Sequence, residues 1–343
     1  MAVHEDDVRD VVDLVRGHWR VLAVRGAADL GLIDALADPV TEPTLAAQVG
    51  VEAEQLVRLL RALQDVGLVE RDGSDRWALT GSGRLLRGED PSGLRSLLLM
   101  QTWPPHLASW GRLPDALRSG AGTFEAANGA SLWQLMAGDP EQSRVFNAAM
   151  ARRGAWQARA VLEAADLTGV TTVVDVGGGR GGMLSALLGE VDRLRGIVAD
   201  QPHVVAEAEA ALAAAGLADR CQALPADFFE AVPSGGDGYV LSNILHDWTD
   251  DECVAILRVV RAAMPAHARL WVLERVLDPD PPRDPFEQAE LHLLDLHMLV
   301  TFGARERHVA EYAALLTAAG FTAPDVRRTS VPFDVLESRP AED

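Results

Sequence analysis

Hydrophobic positions recur at helical spacing in the first half of this chain and in a strand-then-helix rhythm in the second. Between residues 11 and 36 apolar residues return every three or four positions, until Gly31 interrupts them in ADLGLIDAL. Thr44 is then placed to cap a short helix and Gly50 to turn the chain; Leu56, Leu59, Leu60 and Leu63 line a further helix, which Gly67 ends. Residues 68–80, LVERDGSDRWALT, alternate around Asp72-Gly73 and predict a hairpin. Helix, turn, helix and hairpin in that order predict a winged helix.

Residues 93–165 are irregularly helical and hold Trp103, Trp110, Trp133 and Trp156 with Phe124, Phe146, Met100, Met136 and Met150. Core packing is the ordinary use of such side chains, and they also suit the wall of a pocket for a flat apolar molecule. From Val170 the order runs VVDVG, an alanine-rich helix, RGIVAD, a helix ending at Gly216, QALPADFF, GYVLSNILHDW, a helix to Ala263, and RLWVLERVL. That alternation predicts a parallel α/β sheet. A helix over 309–319, stopped by Gly320, and extended segments around Val326 and Val335 complete the tail, and DPDPPRDP at 278–285 reads as a loop. The divisions expected are a winged helix over 1–92, a helical bridge over 93–165 and an α/β domain over 166–343.

With 343 residues, 48% of them hydrophobic, the chain can bury a full core. Its net charge of -20 repels phosphate backbones and anionic lipid. The second helix of the winged-helix module carries Glu52, Glu54 and Asp65 against Arg58 and Arg61, and so lacks the basic face of a recognition helix. Neither nucleic acid nor a membrane is an expected partner. All 31 basic residues are arginine, which removes Schiff-base and P-loop lysine chemistry. Cys221 and Cys253 stand far apart, outside metal or redox spacing. The acidic start, MAVHEDDVRD, lacks an apolar signal region, and no apolar run has the length of a membrane span, so the cytoplasm is expected.

Chemistry concentrates at the strand ends, where open α/β sheets bind ligands. Residues 173–187, VVDVGGGRGGMLSAL, join a strand to a helix through a glycine-packed turn, which brings backbone N–H groups against a ligand. Gly177, Gly179 and Gly182 fit the dinucleotide template G-x-G-x-x-G; Asp175, Gly177, Gly179 and Gly181 fit D-x-G-x-G-x-G, which suggests S-adenosylmethionine. Asp200 ends RGIVAD, where a carboxylate can hold both ribose hydroxyls, and Asp227 precedes Phe228 and Phe229, an acceptor beside a stacking face. His246, Asp247 and Trp248 end the next strand, with His246 the candidate base. Glu274, in an apolar run, needs a partner such as an imidazole N–H.

Taken together, VVDVGGGRGG, VAD, ADFFEAVP, LSNILHDW, LERVL and FGARERHVAEYAALLTAAGF resemble the ordered motifs of S-adenosylmethionine-dependent O-methyltransferases of the plant caffeate and bacterial polyketide type. The resemblance implies a Rossmann-like α/β methyltransferase domain preceded by an α-helical winged-helix domain that forms a homodimer. It implies that Asp175, Gly177, Gly179, Asp200, Asp227, Phe228, Ser242 and Trp248 face the cofactor. His246 would be the general base, flanked by Glu274 and Glu306, in methyl transfer to a hydroxyl of a small aromatic compound. By position, Phe146, Asn147, Met150, Asn243, Asp247, Met298 and Thr301 would line the acceptor pocket, with Trp103 from the aromatic bridge. Plant relatives carry lysine where Ser242 stands and asparagine near Thr301. No metal is expected, and His292 and His297 read as packing or pocket residues. Some relatives hydroxylate or decarboxylate instead; an NAD-dependent dehydrogenase or a winged-helix regulator is the more distant alternative.

Overall fold

The computed structural model describes residues 4–151, 153–277 and 284–342, so most of the loop expected at 278–285 lies outside the described residues. The chain divides into two compact units, Met1–Pro104 and Pro105–Asp343. The first holds α1 (Glu5–Asp29), α2 (Leu32–Ala35), α3 (Glu42–Val49), α4 (Ala53–Asp65), β1 (Val69–Arg71), β2 (Trp77–Leu79), α5 (Gly81–Arg84) and α6 (Leu94–Gln101). Leu32, Ile33, Leu45, Leu56, Leu60, Leu63 and Trp77 form its core.

Thr44 does not cap α3. Thr41 takes the N-cap position because Pro43 sits in the first turn, where its missing N–H has no partner to lose; Thr44 Oγ1 lies 2.9 Å from Thr41 Oγ1. The hairpin forms as expected, with Val69 opposite Leu79, but its turn spans more than Asp72-Gly73. Asp72 Oδ1 accepts the N–H groups of Ser74 and Arg76, and Asp75 adopts φ +58°. Along α1, Val11, Leu14, Val15 and Trp19 are exposed, Leu14 at 80%.

Helices α7 (Pro104–Trp110), α8 (Leu113–Ser119), α9 (Phe124–Asn128), α10 (Leu132–Gly138), α11 (Pro140–Ala151) and α12 (Gly154–Ala164) lead into the sheet. Then come β3 (Thr172–Val176), α13 (Gly182–Glu190), β4 (Arg195–Asp200), α14 (Pro202–Ala214), β5 (Cys221–Pro225), β6 (Gly238–Ser242), α15 (Asp250–Ala263) and β7 (Arg269–Glu274). The remaining elements are α16 (Pro285–Phe302), α17 (Val309–Ala318), β8 (Asp325–Arg328) and β9 (Asp334–Ser338). The seven-stranded sheet has the order β5-β4-β3-β6-β7-β9-β8.

Strands β3 to β7 are parallel, as the alternation predicts, whereas the segments around Val326 and Val335 form an antiparallel edge through β9 and β8. Separate apolar clusters, one around Leu184 and Trp271 and one around Tyr239 and Ile256, give this Rossmann-like sheet its core. Because β4 and β6 flank β3 on opposite sides, the chain reverses direction across the sheet there. A crevice follows beyond the carboxyl ends of β3 and β6.

Trp156 departs from the packing expected of the aromatic bridge: it is 38% exposed. Gly154, Ala158, Ala160, Val161 and Ala164 are the buried residues of α12, which approaches α13 so closely that a Cβ on Gly154 would lie 2.6 Å from the carbonyl carbon of Gly182. An indole has no room on that face. Among the described residues no helix is long and apolar enough to cross a membrane.

Candidate active site

The turn after β3 is glycine-rich for steric reasons. Gly177, Gly179 and Gly181 all have positive φ, and a Cβ on Gly177 would lie 2.4 Å from Cδ1 of Ile244. A Cβ on Gly178 would lie 2.7 Å from the Asp175 carboxyl, so the backbone lies directly on that buried acid. Burial, and then Asp200, push the Asp175 pKa up to about 7. Gly177→Ala combines the clash with a φ of +73°. We expect it to weaken cofactor binding at least ~10-fold, since strain of about 1–3 kcal/mol falls on the loop itself; calorimetric titration measures it.

Asp200 Oδ2 accepts the Gly179 N–H at 2.7 Å and Oδ1 that of Gln201 at 2.7 Å, fixing the carboxylate at the mouth of the turn. Beyond β5, exposed Asp227 accepts the Phe229 N–H at 2.9 Å, and Phe228 and Phe229, tilted against each other, both meet Trp248 edge-to-face. Ser242 accepts a hydrogen bond from Gln157 at 2.8 Å. The glycine cradle, the acid beneath it and the two carboxylates beyond β4 and β5 fit an adenosyl cofactor.

His246 does not continue a strand, as the apolar run suggests. β6 stops at Ser242, Asn243 adopts φ +52°, and a 3₁₀ turn, Leu245–Asp247, carries the histidine. Glu274 causes the break: its Oε1 accepts the N–H groups of Ile244 at 3.1 Å and Leu245 at 2.9 Å, which leave the sheet. The ring is 5% exposed. Its Nδ1 donates to Glu306 Oε1 at 2.9 Å and lies 3.6 Å from Glu274 Oε2, while Nε2 lies 3.5 Å from Asp247 Oδ1. Burial opposes a charged ring, but Glu274, Glu306 and Asp247 together outweigh it and raise the pKa to about 10. Burial likewise pushes Glu274 and Asp247 upward. One ring or carboxyl atom from each of His246, Glu274 and Glu306 lies within 4.8 Å of the others, so their charges interact strongly in this buried cluster.

The residues expected around an acceptor are only partly drawn together. Phe146 meets Trp133 edge-on at 5.7 Å, and Trp133 stacks on Phe302 at 5.6 Å. Met298 and Thr301 are buried on α16, whereas Asn147 points to Glu207 on α14, at 3.4 Å. Met150 is half-buried on α11. The buried Oδ1 of Asn243 has no hydrogen-bond partner. Trp103 belongs to the first unit. His297 accepts from Trp110 Nε1 at 3.1 Å and lies 3.5 Å from Thr301 Oγ1; burial, then His106 and His246, depress its pKa to about 3.

One residue of this site escapes the sequence reading. Arg307, fully buried, donates to the carbonyls of Leu245 at 2.7 Å and Trp248 at 2.8 Å and to Asp250 at 2.8 Å, clamping the turn on both sides of His246. Its signal is the second arginine of ARER, next to Glu306.

The O-methyltransferase domain family matches residues 110–322, and the O-methyltransferase dimerisation domain family matches residues 12–88. This chain belongs to the S-adenosylmethionine-dependent O-methyltransferases. The methyltransferase is 38% identical to the mitomycin biosynthesis 6-O-methyltransferase of Streptomyces lavendulae, over 90% of this chain and 88% of that one. It is also 38% identical to the phenazine O-methyltransferase PhzM of Lysobacter antibioticus, over 96% and 95%. Among solved structures it resembles an O-methyltransferase from neocarzinostatin biosynthesis in complex with S-adenosylmethionine and 2-hydroxy-5-methyl naphthoic acid. The TM-score there is 0.79, with 33% identity over 93% of this chain and 95% of that one.

Proposed function

We propose that this enzyme transfers a methyl group from S-adenosyl-L-methionine to a phenolic hydroxyl of a small aromatic natural product, leaving S-adenosyl-L-homocysteine, with His246 as general base. The carrying observation is the His246 ring held at Nδ1 by Glu306, which assigns proton acceptance to Nε2. A bound sulfonium supplies an electrophilic methyl carbon. The protein's part is to align an oxygen behind that carbon and to take its proton.

A free phenol has a pKa of ~10, and the carboxylates around His246 raise its ring to about 10, so the two are matched and transfer to Nε2 is timed with attack. As the oxygen lone pair forms the O–C bond, the S–C bond breaks and the O–H proton passes to Nε2. Glu306 then balances the imidazolium through Nδ1–H. Asp247, beside Nε2, is placed to orient the hydroxyl. Asp175, Gly177, Gly179 and Ser242 would hold the methionine end, Asp200 the ribose, and Asp227, Phe228 and Trp248 the adenine end. Phe146, Asn147, Met150, Asn243, Met298 and Thr301 are proposed to line the acceptor pocket.

A flat aromatic acceptor suits the Trp133–Phe302 stack, and of the relatives named above one is a phenazine O-methyltransferase and one is solved with a naphthoic acid bound. A homodimer is supported by the dimerisation family match and by the exposed apolar stripe of α1. We further propose that the reaction uses no metal and takes place in the cytoplasm. The test is a panel of phenolic acceptors incubated with methyl-labelled cofactor and read by mass spectrometry. Label on an acceptor oxygen is expected, with turnover unchanged by a chelator. A product that gains oxygen or loses carbon dioxide without label, or turnover lost to the chelator, overturns this reading.

A further inference from the structure

We propose that one proton of the histidine–carboxylate cluster rests on Oε2 of Glu274, making Glu274 a neutral acid and Glu306 the charged partner of His246. The inference rests on His246 as base and explains how it can act as one. Three carboxylates surround a single buried imidazole: Glu306 and Glu274 at Nδ1, Asp247 at Nε2. If all three were ionised, the ring would hold protons on both nitrogens and Nε2 could not accept another. Keeping the same number of protons but moving one to a carboxyl frees Nε2 without changing the total charge.

Geometry selects which carboxyl. Glu306 Oε1 makes the short contact to Nδ1, as a charged acceptor does. Glu274 uses Oε1 as a carbonyl acceptor for two backbone N–H groups, while its Oε2 is buried and without a hydrogen-bond partner. Glu306 Oε2 is buried and unpartnered too. Two unpartnered carboxylate oxygens in one dry cluster are costly, and a proton on one of them removes a charge and creates a donor. The other groups around the cluster include Arg307 next to Glu306, Cys253 on α15, Tyr312 on α17, His297 on α16, whose pKa burial depresses so that it stays neutral, and Arg153 at the start of α12, which faces Asp247 rather than Glu274. Burial pushes the Cys253 and Tyr312 pKa values upward, so neither carries a competing charge, and Arg307 is committed to Leu245, Trp248 and Asp250. Asp295, on α16, is tied to the Glu306 N–H at 2.9 Å. A second positive charge on the ring is also disfavoured beside a bound sulfonium.

Infrared spectroscopy of the intact enzyme near neutral pH reads the proton directly. The wild type is expected to show the carbonyl stretch of a buried, protonated carboxyl group, shifted in heavy water and missing from Glu274→Gln. In turnover, Glu274→Gln, which mimics the neutral acid, is expected to lose ~5- to 10-fold and Glu306→Gln at least ~100-fold. The wild-type band needs no variant to fold, and cofactor titration checks that both variants do. A missing band, a stoichiometric divalent ion in its place, or equal losses in the two variants overturns the proposal. Failure of the base assignment looks different: His246→Ala would then turn over normally while the wild-type band remained.

Discussion

Replacing His246 with alanine lowers turnover by roughly 10²- to 10⁴-fold and leaves cofactor affinity nearly constant, as expected for removal of a general base. The separation of the two effects follows from geometry. The groups proposed to grip the cofactor, the loop over Asp175 and the carboxylate of Asp200, bond to backbone N–H groups and not to the imidazole. The ring is bonded instead to Glu306 on a different segment. Alanine therefore removes the proton acceptor without disturbing the glycine turn. Steady-state rates with any accepted phenol, beside calorimetric titration with S-adenosylhomocysteine, measure both quantities. Unchanged turnover rejects the assignment.

Arg307→Met has the second largest expected effect. The guanidinium is fully buried and gives the shortest hydrogen bonds to two carbonyls, one on each side of His246. A methionine fills much of the volume but leaves the Leu245 and Trp248 carbonyls with only weak or long donors, the Cys253 thiol at 3.1 and 3.6 Å and, for Leu245, the Trp248 N–H at 3.4 Å, a loss of about 3 kcal/mol once the buried charge contacts are counted. For a unit of this size we expect the unfolding temperature to fall by roughly 6–12 °C. Turnover should fall ~10- to 100-fold while cofactor affinity changes little, because the turn, and with it Nε2, loses its fixed position. Arg307→Lys can satisfy one carbonyl but not the whole fork, so an intermediate rate is expected. A methionine variant with wild-type melting and turnover would show that the clamp does not position the base.

Local signals were legible in the sequence and distant pairings were not. The glycines of residues 177–182 announce a ligand turn because positive φ and close approach leave few other residues possible. His246, at the end of an apolar run, and Asp200, at the end of RGIVAD, are visible from their strands alone. Glu274, in its apolar run, calls for an imidazole partner and its Oε2 does face His246 at 3.6 Å, but its Oε1 is taken by the backbone of the turn, and Glu306 makes the shorter contact to the ring. Nothing in either local stretch says so, since both contacts span distant parts of the chain. ARER shows the charge of Arg307, but its partners on the turn are invisible for the same reason. The antiparallel edge, β9 and β8, was visible as extended segments only, because strand direction is set by partners. Trp156 misled because hydrophobicity does not report that α12 and α13 meet through glycines and alanines.

The central claim, that His246 removes the phenolic proton during attack, is tested most directly by a series of acceptors whose hydroxyl pKa values span the assay pH. An already ionised phenolate needs no base. The rate ratio of wild type to His246→Ala should therefore be largest for the least acidic phenols and shrink toward unity as the hydroxyl pKa drops below the assay pH. A ratio that stays constant across the series would contradict the account, because it would mean that His246 only holds the acceptor in place.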